Sequence, residues 1–92
     1  MQKLNATEIE QALAGAPGWA LADGTLQREW TFPDFAAAMA FVNRVAEIAE
    51  KAGHHPDINI RYNRVTLALV THDAGGITAK DAEMASRLGR EL

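Results

Sequence analysis

The alternation of apolar and polar positions divides the 92-residue chain into seven elements. Ile9 and Leu13 share one face of a short helical segment that stops at Gly15-Ala16-Pro17-Gly18. Thr7-Glu8-Ile9-Glu10 has capping-box spacing and predicts Thr7 as its N-cap. Trp19 and Leu21 lead into Asp23-Gly24, a strong hairpin signal. Beyond it, Leu26, Arg28, Trp30 and Phe32 fall on one side of a strand, with Gln27, Glu29 and Thr31 on the other.

Pro33-Asp34 opens the longest helix, with Asp34 at the N-cap or in the first turn. Phe35, Ala38, Met39, Val42, Val45, Ala46 and Ala49 follow its apolar stripe. Lys51 sits in the last turn and Gly53 suits the left-handed residue that ends the helix. Ile58, Ile60 and Tyr62 then alternate with polar residues, and Val65, Leu67 and Leu69 alternate after Asn63-Arg64. This predicts a second hairpin. A loop at Asp73-Ala74-Gly75-Gly76 precedes Thr78-x-x-Asp81, which starts a final helix with Ala82, Ala85, Leu88 and Leu92 on its apolar side.

The order α-β-β-α-β-β-α predicts an α+β fold, a four-stranded antiparallel sheet with helices packed on one face. Two ββα halves suggest a faint internal repeat. The length fits a single domain spanning residues 1–92.

Composition narrows the function classes. Apolar residues make up 48% and charged residues 23%, as in an ordinary globular domain. A net charge of −3 and the lack of any Lys/Arg run argue against nucleic-acid binding. The absence of cysteine excludes disulfides and thiolate zinc sites. No stretch reads as a signal peptide or a membrane span, so no membrane partner is expected and the cytoplasm is the expected location. A small core favours self-association.

The candidate chemistry lies in the three histidines, His54, His55 and His72. A two-residue turn at Asn63-Arg64 pairs Tyr62 with Val65, Ile60 with Leu67 and Ile58 with Leu69. Extended outward, this register sets His55 against His72 on the face opposite Ile58 and Ile60, although Pro56 interrupts the ladder there. His54 follows the helix C-terminus, whose dipole favours an imidazolium. Imidazoles in such differing surroundings suit general acid–base work near neutral pH. Adjacent histidines point apart and no HxH or HxxxH spacing is present, so no metal is assigned. Glu50 reads as a solvated residue and Asp81 as the N3 partner of Thr78. Tyr62 and Trp30 read as packing residues.

Glu50-x3-His54-His55-Pro56-x5-Tyr62-x9-His72-x8-Asp81 resembles the signature of the pterin-4a-carbinolamine dehydratase family. Arg28-Glu29-Trp30-Thr31-Phe32 before Asp34-Phe35, and the helix running to Ala49-Glu50-Lys51, also resemble the family, so the similarity covers effectively the whole chain. The resemblance implies dehydration of 4a-hydroxytetrahydropterin, the product of aromatic amino acid hydroxylases, to quinonoid dihydropterin. It implies His54, His55 and His72 as catalytic residues. Glu50 and Asp81 would orient imidazoles or contact the pterin, and Pro56 would fix the histidine loop at the substrate site. No cofactor is implied, the pterin being the substrate. A homodimer or homotetramer is expected, functionally linked to a hydroxylase. The alternative is a non-catalytic relative acting as a binding or assembly partner; animal members of the family also serve as dimerisation cofactors of a liver homeodomain transcription factor.

Overall fold

A computed structural model of the chain describes residues 2–92. Its elements are α1 (Ala6–Ala14), β1 (Ala20–Ala22), β2 (Thr25–Thr31), α2 (Phe35–Ala52), β3 (Asp57–Arg61), β4 (Arg64–Leu69) and α3 (Ala79–Glu91). The strands form one antiparallel sheet in the order β1-β2-β4-β3, so the expected α+β architecture is the one observed. Each hairpin contributes its second strand to the centre, and β2 and β4 join the two ββα halves.

Local signals explain most boundaries. Asp23 and Gly24 both take positive φ, 52° and 75°, in a two-residue turn that sets Ala22 opposite Thr25. Asp34 caps α2 by accepting from the Ala37 amide at 2.8 Å. The other end of α2 is a Schellman motif: Gly53, at φ 67°, donates to the Glu50 carbonyl and His54 N–H donates to that of Ala49.

Three expectations need correction. The N-cap of α1 is Asn5 and not Thr7. Asn5 Oδ1 accepts from the Glu8 amide at 2.8 Å and Glu8 Oε1 accepts from the Asn5 amide at 2.9 Å. The same box spacing two residues earlier wins because Asn is the stronger cap and the Leu4 amide is already tied to the Ile77 carbonyl.

The second correction concerns β3 and β4. The turn is Tyr62-Asn63, with Tyr62 at φ 53°, so Arg61 pairs with Arg64, Ile60 with Val65 and Ile58 with Leu67. Asn63 is held there by the end of β2: its side-chain amide donates to the Phe32 carbonyl and its own carbonyl accepts from the Phe32 amide, both at 2.8 Å. The register moves by two residues, which keeps every side chain on its expected face. It removes the opposition of His55 and His72, because the ladder stops at Asp57 and Leu69. Tyr62, expected to pack, is 67% exposed at the turn.

The third concerns the helix stripes. Ala38, Val45, Ile48 and Ala49 are the buried residues of α2, whereas Ala46 and Phe35 are exposed. In α3, Met84 is buried beside Ala85 and Leu88, and Leu92 is exposed. The core joins these helical residues to Leu26 of β2 and to Val65, Leu67 and Leu69 of β4. At one end Trp30 packs against Trp19 and Phe41, with ring centroids 5.9 and 4.8 Å apart. The Arg28 guanidinium lies 4.5 Å from the Trp30 ring and donates to the Pro17 carbonyl. Gly18, at φ 91°, leaves room for it: a Cβ there would sit 2.8 Å from the guanidinium carbon. The histidines lie at the opposite end of β2 and β4.

Candidate active site

His54 is placed by the end of α2. Its backbone N–H closes the Schellman motif, which turns its side chain toward the start of α3. There Nε2 lies 2.5 Å from Asp81 Oδ1. Asp81 is completely buried and His54 is 15% exposed. A buried carboxylate must be hydrogen-bonded, and Oδ2 accepts from the Thr78 amide at 2.8 Å and the Thr71 hydroxyl at 2.9 Å. The capping box expected at Thr78 and Asp81 is therefore present, and the same carboxylate serves the helix and the histidine. Because a carboxylate only accepts, the network assigns the proton to Nε2 of His54. In the neutral imidazole Nδ1 is then the free basic atom, and no protein group among the described residues bonds it.

His55 turns away, as expected of adjacent residues. Its Nε2 lies 2.8 Å from Glu50 Oε1, one turn back on α2, with both side chains well exposed. The next residue, Pro56, is buried and immediately precedes β3. His72 heads a single 3₁₀ turn, His72–Ala74, closed by Gly75 at φ 72°. Paired hydrogen bonds between Thr71 and Gly76 hold this loop.

The three histidines converge although the register that predicted it is different. They share a cleft of about 300 Å³ with Gly53, Val70, Thr71, Asp73 and Lys80, near the lower limit for a small-molecule site. Glu50, Asp81 and Pro56 do not line it. The first two reach the cleft through His55 and His54. Thr71 and Lys80 were missing from the sequence-based set. The capping signal identifies Thr78, but nothing in the local pattern marks a threonine just past a strand as a partner of Asp81. Among the described residues no three His, Asp or Glu side chains gather at metal-ligating geometry.

A small α+β domain with three imidazoles around one cleft, two of them seated on carboxylates, belongs to the class of proteins equipped for proton transfer without thiol chemistry. The comparisons narrow the class. The profile described as pterin 4 alpha carbinolamine dehydratase matches residues 2–90, and the chain belongs to that family. A relative from Acidobacterium capsulatum, provisionally named a pterin-4-alpha-carbinolamine dehydratase, is 57% identical over 96% of each chain. One from Gloeobacter violaceus with the same provisional name is 58% identical, over 96% of this chain and all of the other. The crystal structure of a transcriptional coactivator/pterin dehydratase from Brucella melitensis superposes with a TM-score of 0.88 at 35% identity, covering 97% of both chains. A pterin dehydratase-like protein identified as a RuBisCO assembly factor in the α-carboxysome shares the fold, at a TM-score of 0.64 and 23% identity over 83% of this chain and 90% of that one.

Proposed function

We propose that this protein dehydrates 4a-hydroxytetrahydropterin to quinonoid dihydropterin and water by histidine acid–base catalysis, supporting tetrahydropterin recycling. The observation that carries this is the shared cleft of His54, His55 and His72, with His54 seated on the buried Asp81. In the reaction the C4a–O bond breaks, the departing hydroxyl takes a proton to leave as water, and N5 gives up its proton. Each step needs one proton moved over a short distance, and imidazole carries protons at neutral pH. His54 presents a bare Nδ1 suited to accept the N5 proton. His55, held by Glu50, is suited to protonate the leaving hydroxyl, and His72 faces the same space from the opposite loop.

The chemistry needs no cofactor. A second copy of the chain is the expected partner, because β3 is a sheet edge whose Ile58 and Ile60 are each 38% exposed. No helix of the described residues is long and apolar enough to cross a membrane. The proposed reaction places the protein's work beside an aromatic amino acid hydroxylase, in the cytoplasm. The Brucella melitensis protein, named both a transcriptional coactivator and a pterin dehydratase, supports one second reading, a binding partner of other proteins.

The test is to generate the carbinolamine with a hydroxylase and follow its decay with the wild type, His54→Ala and His55→Ala. Acceleration by the wild type, lost in both variants, is expected. A wild-type rate equal to the spontaneous one overturns the proposal.

A further inference from the structure

The Asp81 carboxylate is served by more hydroxyl groups than a helix cap requires. Thr71 Oγ1 donates to Asp81 Oδ2 at 2.9 Å and lies 2.7 Å from Thr78 Oγ1. A hydroxyl has one proton. Since Thr71 spends its proton on Asp81, Thr78 donates to Thr71, and the Thr78 oxygen accepts from the Lys80 amide at 3.3 Å. The chain of donors thus has one direction, Thr78 to Thr71 to Asp81, with His54 donating to the other carboxylate oxygen. Thr78 and Asp81 are both fully buried.

The cap itself is complete without Thr71: the Thr78 amide reaches Asp81, and the Thr78 hydroxyl meets the Lys80 amide. What Thr71 adds is a lateral tether from the β4 side of the cleft to the carboxylate. With Oδ2 gripped from two directions, Oδ1 is aimed at His54 Nε2. The backbone of Thr71 is itself tied to Gly76 on the far side of the histidine loop. One residue therefore connects the loop carrying His72 to the carboxylate beneath His54.

We infer that Thr71 is a positioning residue: its hydroxyl, oriented by Thr78, locks Asp81 so that His54 keeps its proton on Nε2 and shows Nδ1 to the cleft. The inference rests on the dehydratase function proposed above for its kinetic consequence, and on the geometry alone for the state of His54. Without the hydroxyl, the Thr78 amide alone holds Oδ2, the carboxylate gains freedom to rotate about that one bond, and the imidazole's partner is less firmly fixed.

Thr71→Val keeps the branched shape and removes the donor, whereas Thr71→Ser keeps the donor. In Thr71→Val, kcat is expected to fall about tenfold, the lower end of what outer-shell partners contribute, with KM changed less than about twofold. Thr71→Ser is expected to restore the wild-type rate. Nitrogen-15 spectra of the imidazoles should show the Nε2–H tautomer of His54 in the wild type and Thr71→Ser, and a mixture of tautomers in Thr71→Val. If Thr71→Val does not fold, Thr71→Ala takes its place in both measurements. A variant that melts earlier but keeps the wild-type kcat and His54 spectrum overturns the inference and leaves Thr71 a structural residue. If the wild type fails to dehydrate the carbinolamine, the proposed function falls, and the His54 spectra still decide the role of Thr71.

Discussion

Asp81→Asn changes one oxygen for one nitrogen at the most buried polar position of the site, and its outcome follows from donor counting. The Thr78 amide can only donate, so the asparagine carbonyl must take the place of Oδ2, where it also meets the Thr71 hydroxyl. The side-chain NH₂ then occupies the position of Oδ1 and points at His54 Nε2, 2.5 Å away in the wild type. Two donors cannot face each other, so the neutral imidazole must move its proton to Nδ1, the atom that the proposed mechanism needs bare. In a catalytic triad the equivalent exchange costs about 10⁴ in kcat through the wrong tautomer. Because two further histidines share this cleft, a loss of about 10²–10⁴ is expected here.

Stability should suffer far less. Three charge-assisted hydrogen bonds become neutral ones, at about 1 kcal/mol each, and the relief of no longer burying a charge offsets a good part of this. A net loss of about 1–2 kcal/mol is expected, lowering Tm by roughly 4–8 °C per kcal/mol in a domain of this size. Carbinolamine decay and thermal melts on the same samples separate the two effects. Retention of activity within about fivefold of wild type, in a folded Asp81→Asn protein, would refute the tautomer argument.

Three other perturbations probe separate parts of the structure. Gly53→Ala places a Cβ in open space but at φ 67°, so a backbone cost of about 1 kcal/mol is expected by chemical denaturation, with Gly53→Asn milder. Glu50→Gln removes the negative charge beside His55 and should change stability by less than about 0.5 kcal/mol while lowering the dehydration rate; an unchanged rate would detach the Glu50 charge from the mechanism. The Glu91 carboxyl is held below its ordinary value of 4.5, chiefly by its hydrogen bond from Arg87 and against slight burial, with the charges of Arg87, Arg44 and Arg90 adding. A depressed carboxylate stabilises the fold above its unfolded pKa, and that contribution fades as pH falls through the lower folded value. Melts of wild type and Glu91→Gln at low salt should therefore differ near neutral pH and converge in acid.

Much of the architecture is written in local chemistry. The Asp23-Gly24 turn, the Asp34 cap, the Gly53 stop and the Thr78-Asp81 box each act within about one turn of chain, so residue type and spacing suffice to place them. Where two local solutions compete, a distant contact decides. Asn5 prevails over Thr7 beside the tie between Leu4 and Ile77, and the second hairpin turns at Tyr62-Asn63 because Asn63 is bonded to Phe32, 31 residues earlier.

The site divides in the same way. Residue chemistry singles out His54, His55 and His72, the family signature adds Glu50 and Asp81, and proximity along the chain sets Glu50 within five residues of His55. It does not bring His54 to Asp81 across 27 residues, nor Thr71 to either. Those contacts exist because α2 ends and α3 begins over the same end of β4, which a one-dimensional pattern does not contain. Pairing rules placed His55 opposite His72. Packing instead set the two beyond the ends of the ladder and made His54, on a carboxylate removed from water, the histidine with the most defined surroundings. The chain by itself determines which groups are present and where helices and strands begin. The tertiary structure determines which imidazole is locked, because burying a carboxylate requires hydrogen-bond donors, and they come from parts of the chain that only folding brings together.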